Sequence, residues 1–196
     1  MPKTIAEKTK NNLFIISGPS GAGEDSIIDG LKKILPVERV ITTTTRQPRP
    51  GEKSGEPYYF INHENFIKLI KEKKFFEYND NYYGVTHDEI NRVRSGDKIG
   101  LWKIEYKGVI TAKKLMPEIT AIFINAPLNI LEKRIRRRDN VTEEFIKERL
   151  AYTKEWLKHL DLYDYLVENE EGKLNQAIAQ VAEIIKKTLK LAIDKT

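Results

Sequence analysis

Leu13-Phe14-Ile15-Ile16-Ser17-Gly18-Pro19-Ser20-Gly21-Ala22-Gly23-Glu24-Asp25-Ser26-Ile27-Ile28 is the stretch that decides the fold. Its opening apolar run reads as a buried parallel strand, and 26–35 has the spacing of an amphipathic helix. Between them Gly18, Ser20, Gly21, Ala22 and Gly23 form a glycine-rich loop. Strand, loop and helix in this order aim backbone N–H groups and a helix N-terminus at an anion, so the loop reads as a phosphate cradle. The complete pattern, G-x-x-x-x-G-K-[ST], asks for Lys where Glu24 stands and for Ser or Thr where Asp25 stands. That Lys reaches the β- and γ-phosphates, and the hydroxyl binds Mg2+. A carboxylate ~4 Å from one phosphate charge repels it by about 4 kcal/mol at an effective dielectric of about 20, roughly a thousandfold in affinity. Either a cation elsewhere in the chain pairs with Glu24, or Glu24 turns away, or the loop no longer binds a donor.

Outward from the loop, strand and helix patterns alternate. A β-branched run at 39–45 reads as one strand, followed by the proline-punctuated turn Arg46-Gln47-Pro48-Arg49-Pro50-Gly51. Short aromatic strands follow at 58–60, 75–78 and 81–85, with a helical pattern at 62–74 carrying Phe66, Leu69 and Ile70. The segment 42–96 is therefore a small mixed insertion. The regular pattern resumes with strands at 99–105, 120–125 and 163–167. Helices are expected at 107–116, 128–138, from 143 towards His159, and at 174–192. Such alternation predicts an α/β fold with a parallel sheet covered on both faces. Core segments 12–41 and 97–196 would flank the insertion.

Composition narrows the class. The chain has 196 residues, 40% hydrophobic and 32% charged, which suits one soluble domain with a substantial core. Without cysteine it has neither disulfides nor thiolate metal sites. No apolar run approaches the ~18 residues that span a bilayer, so no membrane partner and a cytoplasmic location are expected. Residues 1–11 read as a basic, disordered lead-in. A formal charge of +5 is small for this length, and no basic stripe with stacking aromatics accompanies it, so nucleic acid is not an expected partner.

From about Asn12 to the last helix the chain resembles the guanylate kinases. The resemblance rests on Ile-Ser-Gly-Pro-Ser-Gly-Ala-Gly at 16–23, Thr-Thr-Arg-Gln-Pro-Arg-Pro-Gly-Glu at 44–52 and Gly-Glu-Pro-Tyr-Tyr-Phe at 55–60. Phe-Phe-Glu at 75–77, Asn-Tyr-Tyr-Gly at 81–84, Arg138, Arg149-Leu150 and 163–169 continue it. It implies a P-loop nucleoside-monophosphate-kinase fold, with an inserted GMP-binding subdomain at 42–96 and a lid at 134–149. The implied reaction is Mg2+-dependent phosphoryl transfer from ATP to GMP. Arg46, Arg49, Tyr58 and Tyr83 would hold the GMP phosphate, and Glu77 would read guanine, with Thr42, Thr86 and Glu105 adding contacts. Gly18, Ser20, Gly21, Ala22, Gly23, Glu24, Asp25, Ser26 and Arg134 would line the donor site. Asp25 would meet the metal. Arg46, Arg138, Arg149 and Lys103 would act on the transferring phosphoryl group. The lid arginines have a second reading, a solvated basic helix face.

Departures from the family pattern collect at the donor side. Where the family carries an acid–Ile–acid strand, this chain has Lys103-Ile104-Glu105. In one strand Lys103 and Glu105 would share a face. Lys is replaced by acid at 24 and acid by Lys at 103, so Lys103 is expected to supply the missing cation, either to the donor phosphates or against Glu24. On the acceptor side Val85 and Thr42 stand where Ser is usual, and the 77–83 segment is short. Two functions stay open at this point: an active kinase, or a guanylate-kinase-like protein that binds GMP or a phosphorylated partner without turnover.

Overall fold

The computed structural model describes residues 12–79, 82–137 and 141–194, with side chains for all of these except 77–79 and 190–194. The first half runs β1 (Leu13–Ser17), α1 (Glu24–Leu31), β2 (Val37–Arg39), β3 (Thr42–Thr44), β4 (Lys53–Ser54), β5 (Pro57–Phe60), α2 (His63–Lys71), β6 (Phe75–Asn79), β7 (Tyr83–Thr86) and α3 (His87–Ser95). The second runs β8 (Ile99–Lys103), α4 (Tyr106–Leu115), β9 (Thr120–Asn125), α5 (Leu128–Arg136), α6 (Glu143–Trp156), β10 (Tyr165–Glu168) and α7 (Leu174–Asp194).

Every residue of β1 is buried, because this strand lies at the centre of a five-stranded sheet in the order β10-β9-β1-β8-β2. All four pairings are parallel. Strand periodicity divides the interior into two cores. Phe14 and Ile16 join Leu101, Ile122, Ile124 and the apolar faces of α1 and α7. Leu13 and Ile15 face the other way, with Trp102, Val109, Phe123 and Trp156. After β1 the chain first builds one side of the sheet and later returns to build the other. The carboxyl end of β1 is thus a switch point, where open α/β sheets bind ligands. That end is fixed from beneath. The Ser17 hydroxyl donates to Ile104 O at 2.7 Å and lies 3.0 Å from the Tyr163 hydroxyl, which accepts from Trp156 Nε1 at 2.8 Å.

A second, mixed sheet, β4-β5-β3-β7-β6, is built from residues inside the 42–96 segment. Here the structure departs from the expected single strand at 39–45. β2 and β3 lie in different sheets, with Val40 N–H still bonded to Leu101 O and Ile41 N–H bonded to the Glu89 carboxylate. An unbroken β-branched run has no signal for this change of sheet. α1 ends at Leu31, short of Leu35; hydrogen-bonded turns carry the chain on to Pro36, which disfavours helical geometry at Leu35. α3 was not anticipated, although Thr86 and Glu89 have the spacing of a helix-opening capping box. β8 stops at Lys103, and Glu105 is the residue capping α4. Lys103 and Glu105 therefore do not share one strand face.

Candidate active site

The loop after β1 keeps the backbone its glycines encode. A side chain at Gly18 would meet Ile124 O at 2.4 Å, so this residue lets the loop leave the sheet against β9. Gly23 caps α1 in the left-handed region at φ 94°, and a Cβ there would lie 2.5 Å from Asn169 Nδ2. Two side chains brace the loop from outside. Asn169 Nδ2 donates to Ala22 O at 2.7 Å. Arg134 donates to Gly21 O at 3.1 Å and to Asn169 O at 2.8 Å. Arg134 is thus no solvated face residue, since its guanidinium is spent on carbonyls of the loop and its neighbour. With Gly23, Ser26, Asn169, Glu170, Gly172 and Leu174 it lines a cavity of about 170 Å³ beside the loop.

The charge reversal has a definite geometry. Glu24 is half-buried at the first turn of α1, where the backbone amides of Gly23 and Glu24 favour its charged form. Burial raises its pKa, and nearby Lys103 only partly offsets this. Asp25 points outward, and its two oxygens meet two cations from neighbouring strands. Lys103 Nζ lies 2.6 Å from Oδ2, and an Arg39 guanidinium nitrogen lies 2.9 Å from Oδ1. Desolvation works against the Asp25 carboxylate, but Lys103 and then Arg39 outweigh it and hold its pKa below the ordinary value. Lys103 is moved upward, its own desolvation being outweighed by Glu24 and Asp25. The sequence pointed to Lys103 but offered Glu24 as its partner; the ion pair falls on Asp25. Arg39 gave no sequence signal beyond its place at the end of a strand.

The insertion brings a second group together. Arg46 follows β3; Tyr58 sits on β5 opposite Thr42, and Tyr83 on β7 opposite Thr44. The Tyr58 and Tyr83 rings meet edge-on at 6.1 Å, and the Arg46 guanidinium lies 5.1 Å from the Tyr58 ring centre. Glu52 grips Arg46 through both carboxylate oxygens at 2.8 and 2.9 Å and also accepts from Arg49 N–H at 2.7 Å. These bonds, those from Arg46 first, pull the Glu52 pKa down to about 2. Glu77 is paired in backbone register with Val85 on β7; its side chain lies outside the described residues. Thr86 is occupied as the cap of α3, its hydroxyl accepting from Glu89 N–H at 3.3 Å.

On the opposite side of the sheet from Lys103, Glu105 accepts from the Tyr152 hydroxyl at 3.0 Å. Tyr152 was not foreseen. One turn earlier on α6, Arg149 stacks on Phe145 at 4.9 Å, and its buried Nε has no hydrogen-bond partner. A buried donor left open is rare and calls for an explanation, which an anion bound there would give. Arg138 lies outside the described residues. Among the described residues no helix is long and apolar enough to cross a membrane, and no group of three His, Cys, Asp or Glu could hold a metal alone.

Known proteins resemble this chain over most of its length. The guanylate kinase family model matches residues 10–188. A guanylate kinase of Shewanella violacea is 37% identical over 183 residues, covering 90% of this chain and 87% of that protein. One from Escherichia coli K12 is 35% identical over 184 residues, covering 90% and 88%. The crystal structure of guanylate kinase from Anaplasma phagocytophilum superposes with a TM-score of 0.68 at 24% identity, over 89% of this chain and 84% of that one, and supports the fold. The chain belongs to the guanylate kinase family.

Proposed function

We infer that the protein is a nucleoside monophosphate kinase that transfers the terminal phosphoryl group of ATP to GMP, giving ADP and GDP. The observation that carries the reading is the pairing of two phosphate-type sites in a chain of this family. One is the braced glycine loop at the switch point, and the other is the Arg46–Tyr58–Tyr83 group in the insertion. Arg46 and Arg49 would grip the GMP phosphate, Arg through the fixed fork that suits phosphate oxygens, with the two tyrosine hydroxyls beside them. Glu77 would accept from guanine N1–H and its exocyclic amine, a pair adenine does not present. Thr42, Thr86 and Glu105 would support that side. The cavity beside Ser26 and Arg134 is the natural place for the rest of the donor.

Mg2+ fits the donors present. It binds through one or two carboxylates together with substrate phosphates and water, and the exposed Asp25 carboxylate would serve it once released from Lys103 and Arg39. When bound, Mg2+ would neutralise charge on the donor phosphates. The chain's own residues do the positioning. The loop amides and Lys103 would meet the donor, Arg46 and Arg49 would align the acceptor, and Arg149 would answer the charge that spreads over the transferring oxygens, a role the family resemblance also gives to Arg138. The testing experiment is GDP formation from GMP and ATP, compared with AMP as acceptor. A site that pairs a base edge rejects the wrong base by as much as ~10⁴. Equal use of AMP and GMP would reject the guanine reading.

A further inference from the structure

Two cations of the central sheet stand at the donor loop, and only one was anticipated. Arg39 ends β2 and Lys103 ends β8, the strand between β2 and β1. Arg39 is paired in register with Leu101, and Lys103 lies two residues further along the same strand. By strand periodicity all three face the α1 side, so both cations arrive at the carboxyl edge of the sheet under the first turn of α1. The Asp25 carboxylate bridges them, one oxygen to each.

Burial is distributed unevenly in this trio. The Arg39 and Lys103 side chains are 16% and 27% exposed, whereas Asp25 is 58% exposed. Enclosed charges need an anion. The cations are held by the sheet, and the anion that satisfies them is the member free to move. A phosphate presents two or more oxygens at nearly carboxylate spacing, so it can bridge the same two groups in the same way. We propose that Arg39 and Lys103 together form the donor-phosphate clamp of this enzyme, replacing the absent loop lysine, and that Asp25 stands in for phosphate until the donor displaces it. Arg39 is then a substrate-binding residue on a strand outside the glycine loop, and the acid at 25 keeps the enclosed pair of cations matched and positioned. The inference rests on the donor-site reading above and deepens it.

The test is calorimetric titration with inorganic tripolyphosphate and with ATP, both in EDTA, of the unmodified protein and the variants Arg39→Met, Lys103→Met and Asp25→Asn. GMP binding by each variant reports that the fold is intact. Loss of one charged hydrogen-bonding group weakens an anion by roughly ten- to a hundredfold, so Arg39→Met should lose that much tripolyphosphate affinity while GMP binding is kept. Asp25→Asn removes the competing anion and should tighten tripolyphosphate by roughly tenfold or more. Arg39→Met binding tripolyphosphate as the unmodified protein does would overturn the clamp. Weaker or unchanged binding by Asp25→Asn would overturn the stand-in. If the unmodified protein binds too weakly to measure, Asp25→Asn decides: binding supports the proposal and its absence rejects it. GDP formation separates this inference from the kinase reading. Turnover with Arg39-independent binding rejects the clamp alone, and Arg39-dependent binding without turnover rejects the kinase reading alone.

Discussion

On the proposed reading, the acceptor region and the donor loop solve the same problem, holding cations ready for phosphate, by different routes. In the insertion, Arg46 comes from the turn that carries the family motif, and its waiting partner Glu52 is six residues away on the same turn. At the donor loop the glycine backbone is retained but the charges come from elsewhere, with Lys103 and Arg39 reaching in from β8 and β2 to Asp25. Each region thus meets its cations with a carboxylate of its own chain. The contrast teaches that the shape of a phosphate loop and the source of its positive charge are separable. Glycines at 18, 21 and 23 are demanded by backbone geometry, whereas a cation need only reach the right point in space.

The largest expected effect tests that separation. Lys103→Ala should lower GDP formation by ~10³, the upper range for losing one group that stabilises transition-state charge, while GMP affinity holds. Unchanged turnover would return the cation's role to the loop itself. Next, Glu77→Gln should cut the preference for GMP over AMP by roughly a hundredfold without disturbing thermal stability, because one carboxylate face of the guanine contact is lost. A variant equally selective would move base recognition away from β6. Arg149→Ala should reduce kcat by at least ~10-fold and leave the KM for GMP nearly unchanged, as for a group that acts on the transition state. An effect confined to melting temperature would make it a helix-face residue. Gly23→Ala should destabilise the fold by about 1–2 kcal/mol through its left-handed backbone, read as a fall in Tm of a few degrees. The smallest effect concerns pH. Glu52 is depressed from 4.5 to about 2, so its contribution is complete above pH ~4.5 and lost as pH falls through ~2. Carboxyl NMR should place its titration near 2, and a normal value would mean the Arg46 grip is absent in solution.

Sequence reading went furthest where local physics is strong. The buried strand at 13–16, the glycine loop and the alternating elements after residue 99 stand out because periodicity and punctuation agree. It failed where a tertiary event leaves no local mark. The run 40–45 is uniformly β-branched, yet the chain changes sheets at Val40 and Ile41, held by Leu101 O and Glu89. α3 did leave a mark, the Thr86–Glu89 capping pair, and was overlooked. At the site, opposite charge changes at 24 and 103 made Lys103 visible. They could not show that Asp25 and not Glu24 would take the lysine, since neighbours in a helix's first turn point in different directions. Arg39 and Tyr152 join the site only through folding, and nothing in their local sequence announces it; Asn169 ends a family-like segment, but its bond to the loop carbonyl of Ala22 appears only in the fold.

The central claim is that moving the loop's cation to a neighbouring strand preserves catalysis. The most direct measurement is the steady-state rate of GDP formation by the unmodified protein from GMP and ATP with Mg2+. The account predicts turnover in the ordinary kinase range of ~1–100 s⁻¹. Tight GMP binding with no GDP formed would contradict it and leave a binding protein built on a kinase fold.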